Sequence, residues 1–410
     1  MSVMSAMSDD SRIGIWSHRA DLAASAIDAR HAMRLWGLPK TNLAAVSWPP
    51  SSKERLFWHW HYWWQAHYLD CQVDAELRSP SKARRKRIAD TLRGIQRRQR
   101  GKLTKNRYND DKAWLALAWN RALAAEGFKR TAALDALEFD LLANIDPITG
   151  VLPWRTGETF YNVPSNGPAA ILFARTGRLD KARQITDWVF DNLLTETGLL
   201  NDGLRMRMNG PEIVEKLYTY NQGTIMGASL EIALALRADV GLSSTEPIDS
   251  FEFSERADAS VFYITHIRAI VQAVALRLAS PQGVLGSPLV ESGEGDGGLF
   301  KGILARYLAE VAVRLPEDSR ENIATKKVAA RLVMASAESL WSHRLEVDGL
   351  PIFPANWFED AKLPHNYGIG PTSISEAVGL VRIDERDLSV QLSGWMLLEA
   401  AAKVAAATGE

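Results

Sequence analysis

Asp110 and Asp111 are consecutive carboxylates at the head of an amphipathic stretch, RYNDDKAWLALAWNRA from Arg107 to Ala122, directly after Tyr108 and Asn109. Two carboxylates at a loop-to-helix junction have two uses. In the first turn of a helix they accept free backbone N–H groups and face the positive end of the helix dipole. On either side of a glycosidic bond, one charged and one protonated, they can cleave it. A retaining glycosidase holds its carboxyls about 5–5.5 Å apart, so that one attacks the anomeric carbon while the other protonates the leaving oxygen. Neighbours on a regular helix diverge by about 100°, so both reach one substrate only where the backbone is still turning into the helix. Such a pair titrates together, like-charge repulsion holding one proton more tightly. Spacing alone leaves both uses open.

Other constellations are less coherent. The single cysteine, Cys71, lies inside a helical run, so neither an internal disulfide nor a cysteine-rich metal site can form. No glycine-rich phosphate loop follows a strand. His59, His61 and His67 are interleaved with Trp60, Tyr62, Trp63 and Trp64, which reads as an aromatic wall ahead of a zinc site. Glu291, Glu294 and Asp296 in the turn from Glu291 to Gly298 lack the ordered spacing of a calcium loop and read as flexible. Fourteen tryptophans are present, and Trp16, Trp36, Trp48, Trp58, Trp60, Trp63, Trp64, Trp114 and Trp119 fall in the first third. Indole is ordinary core material, but its flat face also suits the C–H faces of a sugar.

The elements that must position these groups are helical. Apolar periodicity near 3.6 dominates and strand-like alternation is nearly absent. Helices are expected from about Ser17 to Trp36, Ser51 to Arg78, Pro80 to Gln99, Asp110 to Glu126, Lys129 to Asn144, Asn166 to Thr176 and Leu179 to Thr195. Further ones are expected over Asn221–Ala238, Phe253–Ala279, Gly298–Arg314, Arg320–Trp341, Thr372–Leu380 and Glu385–Ala406, with Gly and Pro between them. About a dozen helices joined by alternating short and long connections, with no linker, suggest one all-α domain over residues 1–410, with 1–15 a flexible tail. The simplest arrangement is an (α/α)6 toroid, six helical hairpins in a closed ring; an open solenoid is the rival, weakened because no fixed-period repeat is visible. Long connections carry the polar aromatic chemistry, Trp154, Arg155, Tyr161 and Asn162 in one, Asp202, Arg205, Tyr218 and Tyr220 in another.

Bulk charge excludes some partners. Lys+Arg of 48 against Asp+Glu of 49 leaves a net charge of -1, which gives no global steering to nucleic acid or membrane. One run stands apart: Lys82 to Arg107 holds twelve basic residues against Asp90 alone. It is a solvated face or a contact surface for an anionic glycan. No signal peptide is legible at the N-terminus, so a cytoplasmic location is expected, and no uninterrupted apolar stretch reaches membrane-spanning length.

Five segments in order resemble glycoside hydrolase family 76, the endo-α-1,6-mannanase family: WWQAHYLDCQVDA from Trp63, YNDDKAWLALAW from Tyr108, VPSNGPAAILFAR from Val163, LYTYNQGTIMGASLE from Leu217 and LFKGILARYLA from Leu299. The resemblance implies the (α/α)6 toroid, cleavage of α-1,6-linked mannan with retention, and no metal or organic cofactor. By position it implies Asp110 as nucleophile and Asp111 as general acid/base. It further implies a sugar cleft lined by Trp63, Trp64, His67, Asp70, Asn109, Trp154, Asn166, Asp202, Tyr218, Tyr220, Asn221, Gln222 and Lys301. Two departures stand out. Lys112 follows the acid pair, where a cation would lower both carboxylate pKa values, and the segment before Trp154 is thin in glycine. Related toroids also host sugar epimerases and isomerases, for which His266, His343 and His365 are available, and a glycan-binding protein without turnover is a third reading.

Overall fold

A computed structural model describes residues 9–241, 250–286, 295–364 and 383–409. Thirteen helices form among them: α1 (Asp9–Arg30), α2 (Ser52–Arg55), α3 (Tyr62–Arg78), α4 (Lys82–Arg98), α5 (Asn109–Ala122), α6 (Ala132–Ala143), α7 (Val163–Arg175), α8 (Leu179–Leu193), α9 (Thr219–Gly241), α10 (Ser250–Arg277), α11 (Gly297–Arg314), α12 (Arg320–Ser342) and α13 (Leu388–Thr408). Helices α3, α5, α7, α9, α11 and α13 pack side by side in chain order, and α13 returns to α3, closing an inner ring. Each inner helix has an outer partner: α4, α6, α8, α10 and α12 follow theirs, and α1 covers α13. This is the expected (α/α)6 toroid.

Sequence decides which helices go inside. Outer α8 buries Ala182, Ile185, Thr186, Val189, Phe190 and Leu193, one stripe at helical spacing. Inner α13 is buried all round from Leu388 to Ala402. Small residues let the inner helices touch: a Cβ on Gly302 would meet the Ser393 backbone at 2.7 Å, and one on Gly167 would meet Thr224 at 2.5 Å.

One device recurs around the ring. Near the start of four inner helices a buried amide side chain reads the backbone of the connection lying beside it. Gln65 accepts from Ala44 N–H and donates to Ala44 C=O. Asn166 does the same with Leu152, Gln222 with Leu200 and Gln391 with Phe353. Each amide thereby satisfies a strand-like N–H and C=O that have no sheet neighbour, and ties a long connection to the ring. Gln391→Leu, which keeps the volume and orphans both Phe353 groups, should lower stability by about 3 kcal/mol; chemical denaturation reads it, and a loss below about 1 kcal/mol would contradict the role.

Several expectations need correction. The single helix expected from Ser51 to Arg78 is two, because Phe57 (φ 55°) and His61 (φ 43°) break it. Strands do form, in segments of two to five residues too short to show alternation: Phe160–Asn162, Gly203–Arg207 and Gly210–Val214 make an antiparallel sheet, with two smaller pairs elsewhere. Helix α1 starts at Asp9, inside the expected tail. The stretch Glu255–Arg277 of α10, with mean hydropathy 1.4, is long and apolar enough to cross a membrane by length and composition, although charged residues interrupt it, so the expectation of no uninterrupted apolar span stands. Here it is an outer helix packed on α9 and α12. The expected Thr372–Leu380 helix lies outside the described residues.

Candidate active site

Because the inner helices run parallel, their N-termini share one end of the ring, where the outer-to-inner connections also lie. A cleft of about 640 Å³ opens there. Trp63 of α3, Asp110 and Trp114 of α5, and Tyr218 and Tyr220 at the start of α9 line it. Trp154, Asp202 and Arg205 enter from the connections, and Asp296 and Phe300 from α11 and the residue before it. The walls are aromatic and the polar groups are mostly carboxylates.

Asp110 lines the cleft directly. Its Oδ2 accepts the indole N–H of Trp154 at 2.9 Å, and its Oδ1 accepts the Asp111 backbone N–H at 2.8 Å. Tyr108 at the N-cap offers no side-chain cap, so Asp110 itself satisfies one free donor of the helix; the capping use coexists with exposure to the cleft. Asp111 turns to the preceding loop, its Oδ2 accepting Asn106 Nδ2–H at 2.6 Å. Both carboxyls are half-buried. Burial raises Asp110 to about 6 against the pull of the two N–H donors, with the Asp296 charge adding to the rise. Asp111 is raised well above the ordinary range by burial and then by the Asp110 charge. The pair is therefore unequal: Asp110 is furnished with donors that favour its anion, and Asp111 is the better holder of a proton.

Lys112 does not act as expected. It lies two residues beyond Asp110, about 200° around the helix, so it points to α6, where its buried ammonium meets Asp140 Oδ2 at 2.5 Å. Its lowering effect is the smallest of the five influences on Asp111, and both carboxylates are raised rather than lowered.

The remaining residues sort into three groups. Trp63, Trp154, Asp202, Tyr218 and Tyr220 face the cleft. Behind them, Trp64 donates its indole N–H to Asp296 at 2.8 Å, and Asn221 Nδ2–H holds Asp202 at 3.0 Å. Asn109 binds the Pro153 carbonyl through Nδ2–H and the Trp154 carbonyl through its backbone N–H, so it aims the Trp154 loop. Asn166 and Gln222 belong to the amide clamps, and their contacts are with backbone rather than the cleft.

Three placements are corrections. Asp70 is about two turns down α3, buried in an ion network with Arg121, Asp74 and Arg306. His67 lies between Trp63 and Trp114 at ring distances of 5.4 and 4.6 Å, fully buried and held neutral by burial and then by the Arg306 and Arg121 charges. Lys301 is turned away, its ammonium donating to the Ala355 carbonyl at 2.8 Å and lying 4.6 Å over Trp357.

Several cleft formers were missing from the predicted lining, Trp114, Phe160, Arg205, Asp296 and Phe300 among them. Asp296 accepts both the Trp63 and Trp64 indole N–H groups, at 3.0 and 2.8 Å, and Phe300 stacks on Tyr220 at 3.9 Å with planes 6° apart. The signal was available in two indoles side by side, which need acceptors when buried. Glu291, Glu294 and His365 lie outside the described residues. His266 stacks on Phe190 of α8 and His343 caps α12, both on outer helices away from the cleft, so the epimerase reading loses those two acid/base groups. Among the described residues no three His, Cys, Asp or Glu side chains come together to hold a metal ion.

Comparison with solved structures places the ring among known ones. The GH76A α-1,6-mannanase of Salegentibacter sp. HEL1_6 superposes with a TM-score of 0.72 at 24% identity, covering 95% of this chain and 99% of that one. An inactive variant of that enzyme, with two neighbouring aspartates replaced by asparagine, has been solved in complex with α-1,6-mannotriose and matches equally well. The Lin0763 protein from Listeria innocua gives a TM-score of 0.71 at 24% identity, covering 95% and 97% of the two chains. No curated protein matches the chain. These likenesses establish the toroid. A sequence model of one family, glycosyl hydrolase family 76, matches residues 23–235, more than half the chain and the part that holds the acid pair, the Trp154 loop and the start of α9. On that match the chain belongs to glycosyl hydrolase family 76.

Proposed function

We propose that the protein hydrolyses α-1,6-linked mannan-type glycans by double displacement with retention. The observation that carries this is the unequal pair at the start of α5, one carboxylate dressed with N–H donors and facing the cleft, its neighbour pushed toward the protonated form. In the first step an Asp110 oxygen attacks the anomeric carbon as the glycosidic C–O bond breaks, and Asp111 gives its proton to the leaving oxygen. In the second, Asp111 takes a proton from water, whose oxygen displaces Asp110 from the same carbon. Trp63, Trp154, Tyr218 and Tyr220 supply the faces on which successive sugars stack, and Asp202, oriented by Asn221, accepts a hydrogen bond from a sugar hydroxyl. The linkage is proposed from the family and from the manno-oligosaccharides bound by the Salegentibacter relative.

The test is proton NMR of early products from α-1,6-mannotetraose. The first-formed reducing end is expected to be the α-anomer, drifting to equilibrium by mutarotation. A first-formed β-anomer would exclude double displacement, and no release of reducing ends over a long incubation would exclude the hydrolase.

A further inference from the structure

A second concave site lies outside the cleft, between the C-terminal half of α4 and the turn around Trp36. It has a volume of about 660 Å³ and is lined by Trp36, Leu38, Arg93, Gln96, Arg97 and Arg100. Residues 93, 96, 97 and 100 are spaced i, i+3, i+4, i+7, so α4 and its first following turn present them along one face. The Trp36 turn is laid on that helix by backbone: Asn42 N–H donates to Asp90 C=O at 3.0 Å, and the Asn42 carbonyl comes so near Gly94 that a Cβ there would lie 2.4 Å away.

Three features distinguish this groove from a solvated basic face. Its indole is held out rather than left out: Trp36 is 49% exposed, yet its N–H is fixed on the Leu56 carbonyl at 2.8 Å. Its backbone is strained on both sides, at Trp36 (φ 49°) and Arg100 (φ 53°). Lys40, Phe57 and His61 nearby share the left-handed conformation, leaving Asp348 as the one other non-glycine case among the described residues. Side chains tolerate that conformation at a cost, and such strain gathers where function needs a particular display. Its charge is also uncompensated. Arg93 is met by Asp90, but Arg97 and Arg100, both exposed, have no carboxylate partner among the described residues. Arg98, on the next face of α4, is not part of the groove: it donates to the Phe57 carbonyl at 3.0 Å and lies 5.0 Å over Trp60.

A fixed indole beside paired guanidinium forks is chemistry for a sugar carrying an anionic ester: the ring stacks on a pyranose, and the forks bind phosphate oxygens two at a time. We propose that the Trp36–Arg97–Arg100 groove is a binding site for phosphodiester-bearing glycan, separate from the catalytic cleft. It holds such a polymer on the face where the cleft opens, since the C-terminus of antiparallel α4 lies at the same end of the ring as the inner-helix N-termini. The choice of glycan over another polyanion rests on the mannan-cleaving reading of the cleft.

The test is affinity electrophoresis of the full chain carrying Asp110→Asn, in gels containing phosphodiester-bearing mannan, neutral linear α-1,6-mannan or poly-uridylate. Retardation by the phosphorylated mannan is expected to exceed that by the neutral one, and to fall with added salt. Arg97→Glu with Arg100→Glu, and separately Trp36→Ala, should each weaken it by about tenfold, while Lys82→Glu at the far end of α4 leaves it unchanged. In the otherwise wild-type chain the arginine double variant should cleave α-1,6-mannotetraose at the normal rate. Equal retardation by neutral mannan, an effect of Lys82→Glu equal to that of the arginine pair, or retention on poly-uridylate alone would each overturn the site. Retention on phosphorylated mannan by a protein that cleaves no α-1,6-mannoside would leave the groove standing and remove the reading of the cleft.

Discussion

Asp110→Asn is expected to lower kcat on α-1,6-manno-oligosaccharides by about 10⁴-fold or more, and Asp111→Asn by about 10²–10⁴-fold, with the fold of both intact. The two losses are distinguishable. A mannosyl fluoride or dinitrophenyl mannoside needs no proton on its leaving group, so it should restore formation of the covalent intermediate in Asp111→Asn but not in Asp110→Asn. Stability should move the opposite way to activity. Each carboxyl has a folded-state pKa above its unfolded value, so each favours the fold fully below about pH 4 and loses that contribution as pH rises through the folded pKa, which is about 6 for Asp110. An asparagine has no charge to bury. Both variants should therefore be more stable than wild type at pH 8, Asp110→Asn by on the order of 2 kcal/mol, and the advantage should vanish near pH 4. Thermal unfolding at the two pH values reads this directly. Wild-type activity in either variant, or a variant less stable at pH 8 than at pH 4 relative to wild type, would remove the assignment.

What the sequence made legible was local. The acid pair could be read because both its uses, cap and catalyst, depend on adjacent residues, and the toroid could be read because about a dozen helical segments follow one another with alternating short and long connections and no linker. What required coordinates was non-local or angular. Lys112 looked threatening in a string of letters, but two steps on a helix turn it to the other side, onto Asp140. The fourfold amide clamp escaped because three of its members are Gln and one is Asn, and its partners, Ala44, Leu152, Leu200 and Phe353, are 14 to 38 residues away at no constant period. Asp296 was dismissed with its glycine-rich neighbours, although the two indoles it accepts lie more than two hundred residues upstream. Asp70 was drawn into the cleft by the motif around it, when its partners are elsewhere on the ring.

Those partners give the largest expected effect on stability. Asp70 and Asp74 on α3 are bridged by Arg121 of α5 and Arg306 of α11, each arginine reaching both carboxylates. Three inner helices are thus pinned one level below the residues they carry to the cleft: Trp63 on α3, Asp110 on α5 and Phe300 on α11. Burial pushes Asp74 up, but the two guanidiniums more than offset it and leave it at about 2. Replacing the whole network with apolar side chains could be neutral, whereas removing one arginine leaves two carboxylates to share a single fork. Arg306→Met should therefore cost about 3–5 kcal/mol at pH 7. The sign with pH follows from Asp74: a depressed carboxylate lends stability above its unfolded pKa of about 4 that is lost as pH falls toward 2. The deficit of Arg306→Met should shrink as pH is lowered through that window, because protonation removes the charge the missing arginine no longer meets. Arg306→Lys should recover only part of the loss, since one ammonium cannot span both carboxylates as the fork does. Denaturant unfolding of wild type and the two variants at pH 7 and about pH 2.5 measures all three effects, and a deficit that is unchanged or larger at the lower pH would show that the network contributes by packing rather than by charge.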